Sequence, residues 1–79
     1  MKPGNVKLSE VNAGSSVILA EFGNTALHLQ LLAMGIGPGT AVTLIRRLPL
    51  HGNLYLQIGT RKLVIRFSEA EQLKVKTAA

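Results

Sequence analysis

The chain has 79 residues, enough for one small domain and too few for two. Nine Lys and Arg against four acidic residues give a formal net charge of +5, which favours acidic partners such as nucleic acid, anionic lipid or an acidic protein face. The absence of cysteine excludes disulfides, thiolate metal sites, iron–sulfur clusters and cysteine nucleophiles.

The first residues carry no sign of a targeting or membrane segment. Residues 1–7 lack the apolar core of a signal peptide, and Pro3-Gly4 discourages regular structure, so we expect a flexible leader there. No apolar run approaches the roughly 18 residues that a membrane span requires. These features predict a cytoplasmic protein whose single domain covers residues 8–79.

The first half of the domain reads as a turn, a strand and a helix. Ser9 is a suitable N-cap for one helical turn over residues 10–13. Residues 15–22 are rich in β-branched and aliphatic side chains between two glycines, which predicts a strand. Asn24 or Thr25 then offers an N-cap for a helix that runs to Met34.

Two reversals follow the helix within five residues. Gly35 comes after the last apolar helical residue, where a left-handed residue is favoured, so we predict that its φ is positive. Pro38 and Gly39 suit the two central positions of a type II turn. The next strand, residues 40–48, ends at Pro49, which cannot donate to a ladder.

A turn at residues 50–53 leads into a predicted hairpin with alternating apolar residues. The two strands meet at a tight turn, residues 59–61. The side chains expected to face inward are Leu54, Leu56, Ile58, Leu63, Ile65 and Phe67.

The last elements are a helical turn and a short strand. Ser68 and Glu71 have capping-box spacing, with serine at the N-cap, and Leu73 and Val75 alternate with two lysines. The count is five strands, one helix between the first two, and this single turn. Because short strands must cover their edges, we predict a mainly β fold closed into a small barrel.

The order of these turn signals resembles the FeoA family of small cytosolic proteins associated with bacterial ferrous iron uptake. The resemblance covers residues 8–75. It is carried by Leu31-Leu32-x-Met34-Gly35, Pro38-Gly39-Thr40, the Pro49-Leu50-x-Gly52 turn and the hairpin after it.

This resemblance implies an SH3-like barrel with an inserted helix. It also implies a non-enzymatic accessory protein that binds the cytoplasmic part of the FeoB ferrous iron transporter and supports or regulates it. Two alternatives remain open, an SH3-like nucleic-acid-binding module and the related barrel of metal-dependent repressors.

The residues themselves favour neither a cofactor site nor an active site. The glycines at 35, 37 and 39 follow a helix and precede a strand, the reverse of a phosphate-binding loop. His28, His51 and the four glutamates lack helical i, i+3 or i+4 spacing, so we expect no specific metal site. A nucleophile, a base and an orienting group held together are not indicated, so we expect no enzyme.

The basic residues of the predicted strands are candidate partner contacts. Arg46, Arg47 and Arg66 come from strands expected to neighbour one another, and we expect them to meet an acidic protein or lipid surface. Tyr55 is the single candidate for stacking against bases, so nucleic acid is the less favoured partner.

A second candidate contact lies on the helix. At 100° per residue, Leu27, Leu31 and Met34 share one arc that covers the sheet, with Leu32 at its flank, and Leu29 falls roughly opposite. Ala33 is about 40° from Leu29. This apolar strip is expected to meet another protein or a second copy of the chain.

Overall fold

The computed structural model describes residues 5–77, which form one mainly β unit. Six strands make one antiparallel sheet, in the order β1-β6-β2-β3-β4-β5. The strands are β1 (Val6–Lys7), β2 (Ser16–Phe22), β3 (Ala41–Arg47), β4 (Leu54–Ile58), β5 (Arg61–Ile65) and β6 (Leu73–Thr77). A 3₁₀ turn spans Leu8–Glu10, and the two α-helices are α1 (Thr25–Ala33) and α2 (Phe67–Ala70).

This architecture is consistent with the SH3-like fold that the resemblance implies, but three details differ from the prediction. There are six strands where five were expected, and the single helical turn predicted before the last strand is a second short helix. The hydrogen-bonded order leaves β1 and β5 at the edges, so barrel closure is not found among residues 5–77.

No helix in that range has the length and apolar character needed to cross a membrane.

The additional strand comes from residues that were expected to belong to the leader. Val6 pairs with Val75 and Lys7 with Lys74, so the end of that segment adds an edge strand to the sheet. Leu8 follows it and is fully buried. Residues 1–4 of the expected leader lie outside the described range.

Helix α1 begins where the sequence predicts. The Asn24 side-chain oxygen accepts a hydrogen bond from the Leu27 N–H at 2.9 Å, the geometry of an N-cap. Leu27 and Leu31 are buried against the sheet, as expected. Met34 is the C-cap and is 38% exposed, so it covers less of the core than its helical spacing predicts.

The end of α1 is a Schellman motif, because both of its defining hydrogen bonds are present. The Gly35 N–H bonds to the Leu32 carbonyl at 2.9 Å, and the Ile36 N–H bonds to the Leu31 carbonyl at 2.8 Å. Gly35 has φ +80°, which confirms the predicted left-handed position. Ile36 is thereby turned into the core, where it is 2% exposed.

The second reversal matches a type II turn. The Thr40 N–H bonds to the Gly37 carbonyl at 3.2 Å, with Pro38 and Gly39 between them and φ +91° at Gly39. The Gly39 N–H also bonds to the Leu19 carbonyl at 2.7 Å, which ties the turn to β2. The helix is therefore joined to β3 by a fixed connection.

The core is formed by the inward faces of the strands, as the alternation predicts. Leu54, Leu56 and Ile65 are buried, and Ile58, Leu63 and Phe67 pack against the core while partly exposed. Leu73 and Val75 close it from β6. The predicted capping box with Ser68 as the N-cap of α2 is wrong, because Ser68 lies inside the helix. Arg66 is the N-cap, and the Glu69 carboxylate accepts from the Arg66 N–H at 2.8 Å.

We expect Ile65→Ala to lower the free energy of unfolding by about 2 to 5 kcal/mol, because it opens a cavity beneath β5. Ile65 is 5% exposed, whereas its neighbour Val64 is 48% exposed, so Val64→Ala is the matched control on the opposite face. Chemical denaturation measures both variants. A loss below about 1 kcal/mol for Ile65→Ala would contradict the face assignment.

We expect Gly35→Val to destabilise the protein by about 1 to 3 kcal/mol, because a β-branched residue does not tolerate positive φ. Gly35→Asn is the control, since asparagine adopts the left-handed region more readily. Thermal denaturation compares the two. Equal stability of the valine variant and the parent protein would show that the left-handed conformation is not required.

Candidate partner-binding surfaces

Helix α1 presents an apolar strip to solvent, formed by Leu29, Leu32 and Ala33. Leu29 is 62% exposed, which agrees with its predicted outward position, and Ala33 is exposed beside it. Leu32 was expected at the flank of the buried arc but is 44% exposed. The α1 strip is therefore wider than the sequence predicts, since three apolar residues at i, i+3 and i+4 share one helical face.

The three candidate arginines differ in exposure and in hydrogen bonding. Arg46 is exposed on the outer face of the sheet, opposite Tyr55 on β4. Arg66 is exposed at the end of β5. Arg47 is only partly exposed, and its guanidinium donates to the Val11 carbonyl and, at 2.5 Å, to the Ser9 carbonyl.

A β-bulge separates Arg46 from Arg47. The register pairs Leu44 with Leu56 and then Arg46 with Tyr55, so Ile45 has no partner residue of its own. The extra residue shifts the alternation, which places Arg46 outside and Arg47 opposite the buried Leu54. Arg47 thus joins β3 to the N-terminal segment, and Arg46 and Arg66 remain as exposed candidates for a partner contact.

The hydrogen bonds that the glutamates form within residues 5–77 go to N–H groups and not to these cationic side chains. Glu10 accepts from the Lys7 N–H at 3.3 Å, Glu69 from the Arg66 N–H at 2.8 Å, and Glu21 from the Asn5 amide at 3.2 Å. Three of the four carboxylates therefore bind N–H groups of the backbone or of an amide side chain. The positive charge of the outer face stays available to a partner.

Two depressions lie on either side of β5. The outer depression has a volume of about 280 Å³ and is lined by Ile45, Tyr55 and Val64, with Arg46 and Lys62 at its border. The inner groove, about 300 Å³, separates β5 from α1. Its lining includes Leu27, Gln30, Leu31 and Met34 from the helix, Leu63 to Arg66 from the strand side, and Asn53 and Glu69.

The turn between β3 and β4 exposes an apolar tip. Leu50 has φ +58° and His51 has φ +57°, and the Gly52 N–H bonds to the Pro49 carbonyl at 3.2 Å. Leu50 is 98% exposed, while His51 stacks on Phe67 with ring centroids 4.2 Å apart. The sequence predicts a turn here but gives no signal of left-handed leucine, since glycine or asparagine is the usual residue.

The histidines are placed beside aromatic rings. His28 stacks on Phe22 at 4.4 Å, just as His51 stacks on Phe67. Within residues 5–77, no three His, Asp or Glu side chains are close enough together to hold a metal ion. The surfaces described above are suited to binding another macromolecule through apolar and basic contacts.

Comparison with known proteins agrees with this architecture. The FeoA domain family matches residues 6–77. A FeoA protein from Chlorobium tepidum is 27% identical with a TM-score of 0.85, over 94% of this chain and 71% of that one. Iron(II) transport protein A from Clostridium thermocellum is also 27% identical, with a TM-score of 0.81, over 92% of this chain and 46% of that one.

A manganese-dependent transcriptional repressor has a TM-score of 0.84 at 14% identity, over 98% of this chain and 44% of that one, which is a likeness of fold alone. Compared with curated protein sequences, the chain has no significant match. The family match extends from β1 to the end of β6 and so includes every element that forms the sheet, both helices and both turns around Gly35. The chain belongs to the FeoA family.

Proposed function

We propose that this protein is a non-enzymatic accessory component of ferrous iron uptake that acts in the cytoplasm. It binds the cytoplasmic part of a FeoB-like transporter and supports or regulates it. The observation that carries this proposal is the FeoA domain match over residues 6–77. The similarity to an iron(II) transport protein A adds support from a relative whose name states its role.

The exposed surfaces support a binding role by their chemistry. The α1 strip offers apolar area that a partner can remove from water, a gain of roughly 25 cal/mol per Å². Arg46 and Arg66 offer charge that attracts an acidic face and orients it. Contact through the strip sets the dissociation rate and the basic residues raise the association rate.

The arrangement of polar groups also favours binding over catalysis. His28 and His51, the natural general bases, each lie against a phenylalanine ring. The glutamates that accept from Lys7 and Arg66 serve as local caps. A protein of this kind acts on its partner by contact rather than by chemistry on a small substrate.

We expect Leu29→Glu to weaken docking on the transporter, or self-association, by about tenfold while leaving folding nearly unchanged, because Leu29 is exposed and central in the α1 strip. Gln30→Glu adds the same charge at the next helical position and is the control. Titration against the purified transporter and sedimentation velocity measure the two associations. A Leu29→Glu variant that folds and binds as the parent protein does would exclude the α1 strip as a contact.

We expect Arg46→Gln/Arg66→Gln to weaken association with the transporter, and the loss to be larger at low ionic strength, because salt screens exposed charges. Lys74→Gln/Lys76→Gln removes the same charge from β6 and is the control. Arg47 is left unchanged, since its bonds to Ser9 and Val11 would make its replacement a test of folding.

The same variants distinguish the alternative functions. Equal loss in both double variants would mean that net charge alone, rather than the positions of Arg46 and Arg66, sets the affinity. Tight binding to oligonucleotides that disappears in Arg46→Gln/Arg66→Gln would favour a nucleic-acid-binding module over a transporter partner.

A further inference from the structure

Strand β5 is an edge of the sheet, and its hydrogen-bonding pattern can be read from the turn before it. Gly59 and Thr60 separate the paired residues Ile58 and Arg61, with φ +62° at Gly59 and negative φ at Thr60, as in a type II′ turn. Such a turn makes Ile58 and Arg61 a hydrogen-bonded pair. Because hydrogen-bonded and non-hydrogen-bonded pairs alternate, Leu63 with Leu56 and Ile65 with Leu54 are hydrogen-bonded pairs as well.

The intervening residues, Lys62 and Val64, therefore direct their N–H and C=O groups away from β4. Arg66, the next residue in this phase, is consistent with the assignment. Its N–H bonds to the Glu69 carboxylate at 2.8 Å, and its carbonyl accepts from α2 at 3.0 Å. Among residues 5–77, no backbone group bonds to the outward groups of Lys62 and Val64.

This free edge lies between the two depressions. The inner groove runs between β5 and α1, and the outer depression lies over Tyr55 and Val64. Because side chains of a strand point alternately to opposite faces, a strand added to β5 would place successive side chains in the two depressions. The inner groove has a volume of about 300 Å³ and the outer depression about 280 Å³. At roughly 30 Å³ per water, each holds on the order of ten waters, which one or two side chains can displace.

The positive charges along β5 indicate which kind of added strand would pair with it. Lys62 and Arg46 border the outer depression. Arg66 is exposed just after the end of β5 and has the same phase along the chain as Lys62 and Val64. Acidic residues opposite Lys62 and Arg66 would form cross-strand pairs, whereas like charges in those positions destabilise a sheet. Antiparallel pairing of two copies centred on Val64 would set Lys62 of one against Arg66 of the other, which disfavours a second copy as occupant.

We propose that β5 accepts an extended acidic peptide segment of a partner protein as a seventh strand. The segment carries acidic residues two positions to each side of a central apolar residue, which faces the outer depression. The two residues between them are apolar and enter the inner groove. Main-chain bonds to Lys62 and Val64 supply affinity, and the depressions and cations supply specificity. This surface is separate from the α1 strip and does not depend on which protein supplies the peptide.

The test uses the full chain and the acetylated, amidated peptide Glu-Leu-Val-Leu-Glu. Hydrogen exchange followed by NMR should show that the Lys62 and Val64 amides become protected when the peptide is added. The Leu63 amide, already bonded to β4, should change little. Loss of this alternation, or absence of binding at millimolar peptide, would overturn the proposal.

Variants separate the main-chain bonds from the charges. Val64→Pro removes an outward N–H without breaking a bond to β4 and should weaken binding by about tenfold or more, while Val64→Thr retains the amide and should bind nearly as the parent protein does. Lys62→Glu should weaken binding by about tenfold, and Lys76→Glu, which makes the same charge change on β6, should not. Circular dichroism confirms that each variant is folded.

Three further outcomes would contradict the proposal. Protection of the Lys62 and Val64 amides that rises with protein concentration in the absence of peptide would identify a second copy as the occupant. Protection by oligothymidylate, together with failure of the acidic peptide, would identify nucleic acid. Wild-type peptide affinity in a folded Val64→Pro variant would show that the edge is not used. None of these results depends on the transporter, so they leave the proposed function to its own test.

Discussion

The left-handed backbone at Gly35 is the constraint on which the arrangement of helix and sheet depends. It ends α1 and turns Ile36 into the core beside Leu31, so that the helix is held against the sheet by a buried contact at its C-terminal end. The type II turn at Pro38 and Gly39 then directs the chain into β3 and bonds to β2. Because both reversals are fixed, the outward face of α1, with Leu29, is also fixed in its direction. A helix that ended one residue later would carry the α1 strip to another place.

The β-bulge at Ile45 has a comparable effect on the charged residues. Without it, Leu44 and Arg46 would share the inner face of β3, and a guanidinium would point into the core. The extra residue places Arg46 outside and turns Arg47 towards the N-terminal segment, where backbone carbonyls accept its hydrogen bonds. Two neighbouring arginines thus serve different ends. One stabilises the fold by joining β3 to residues more than thirty positions earlier, and the other remains free for a partner.

The exposed surfaces of this small domain differ in how they can bind. The α1 strip is flat and apolar, so it fits a partner helix or another flat face. The free edge of β5 fits an extended segment instead, because it offers main-chain groups and a depression on each side. The inner groove beside β5 is lined by the face of α1 that carries Leu27, Leu31 and Met34. The α1 strip lies on another face of the same helix. A single partner could therefore contact the domain twice, with a folded part on the helix and a flexible part along β5, and gain affinity from the linkage.

The sequence by itself determined the features that depend on local sterics and periodicity. An N-cap at Asn24 or Thr25, positive φ at Gly35 and Gly39, and the inward face of β4 and β5 follow from the side chains at those positions and their neighbours. The tertiary structure decided what depends on distant partners. Val6 and Lys7 form a strand because β6 pairs with them, although they look like part of a loose leader. Helix α2 has Arg66 as its N-cap instead of the predicted Ser68, because β5 ends there and Glu69 bonds to the Arg66 N–H. Leu50 has a left-handed conformation in the tight connection between β3 and β4. Such contacts join residues that are far apart in the chain, so a local sequence pattern does not predict which of them form.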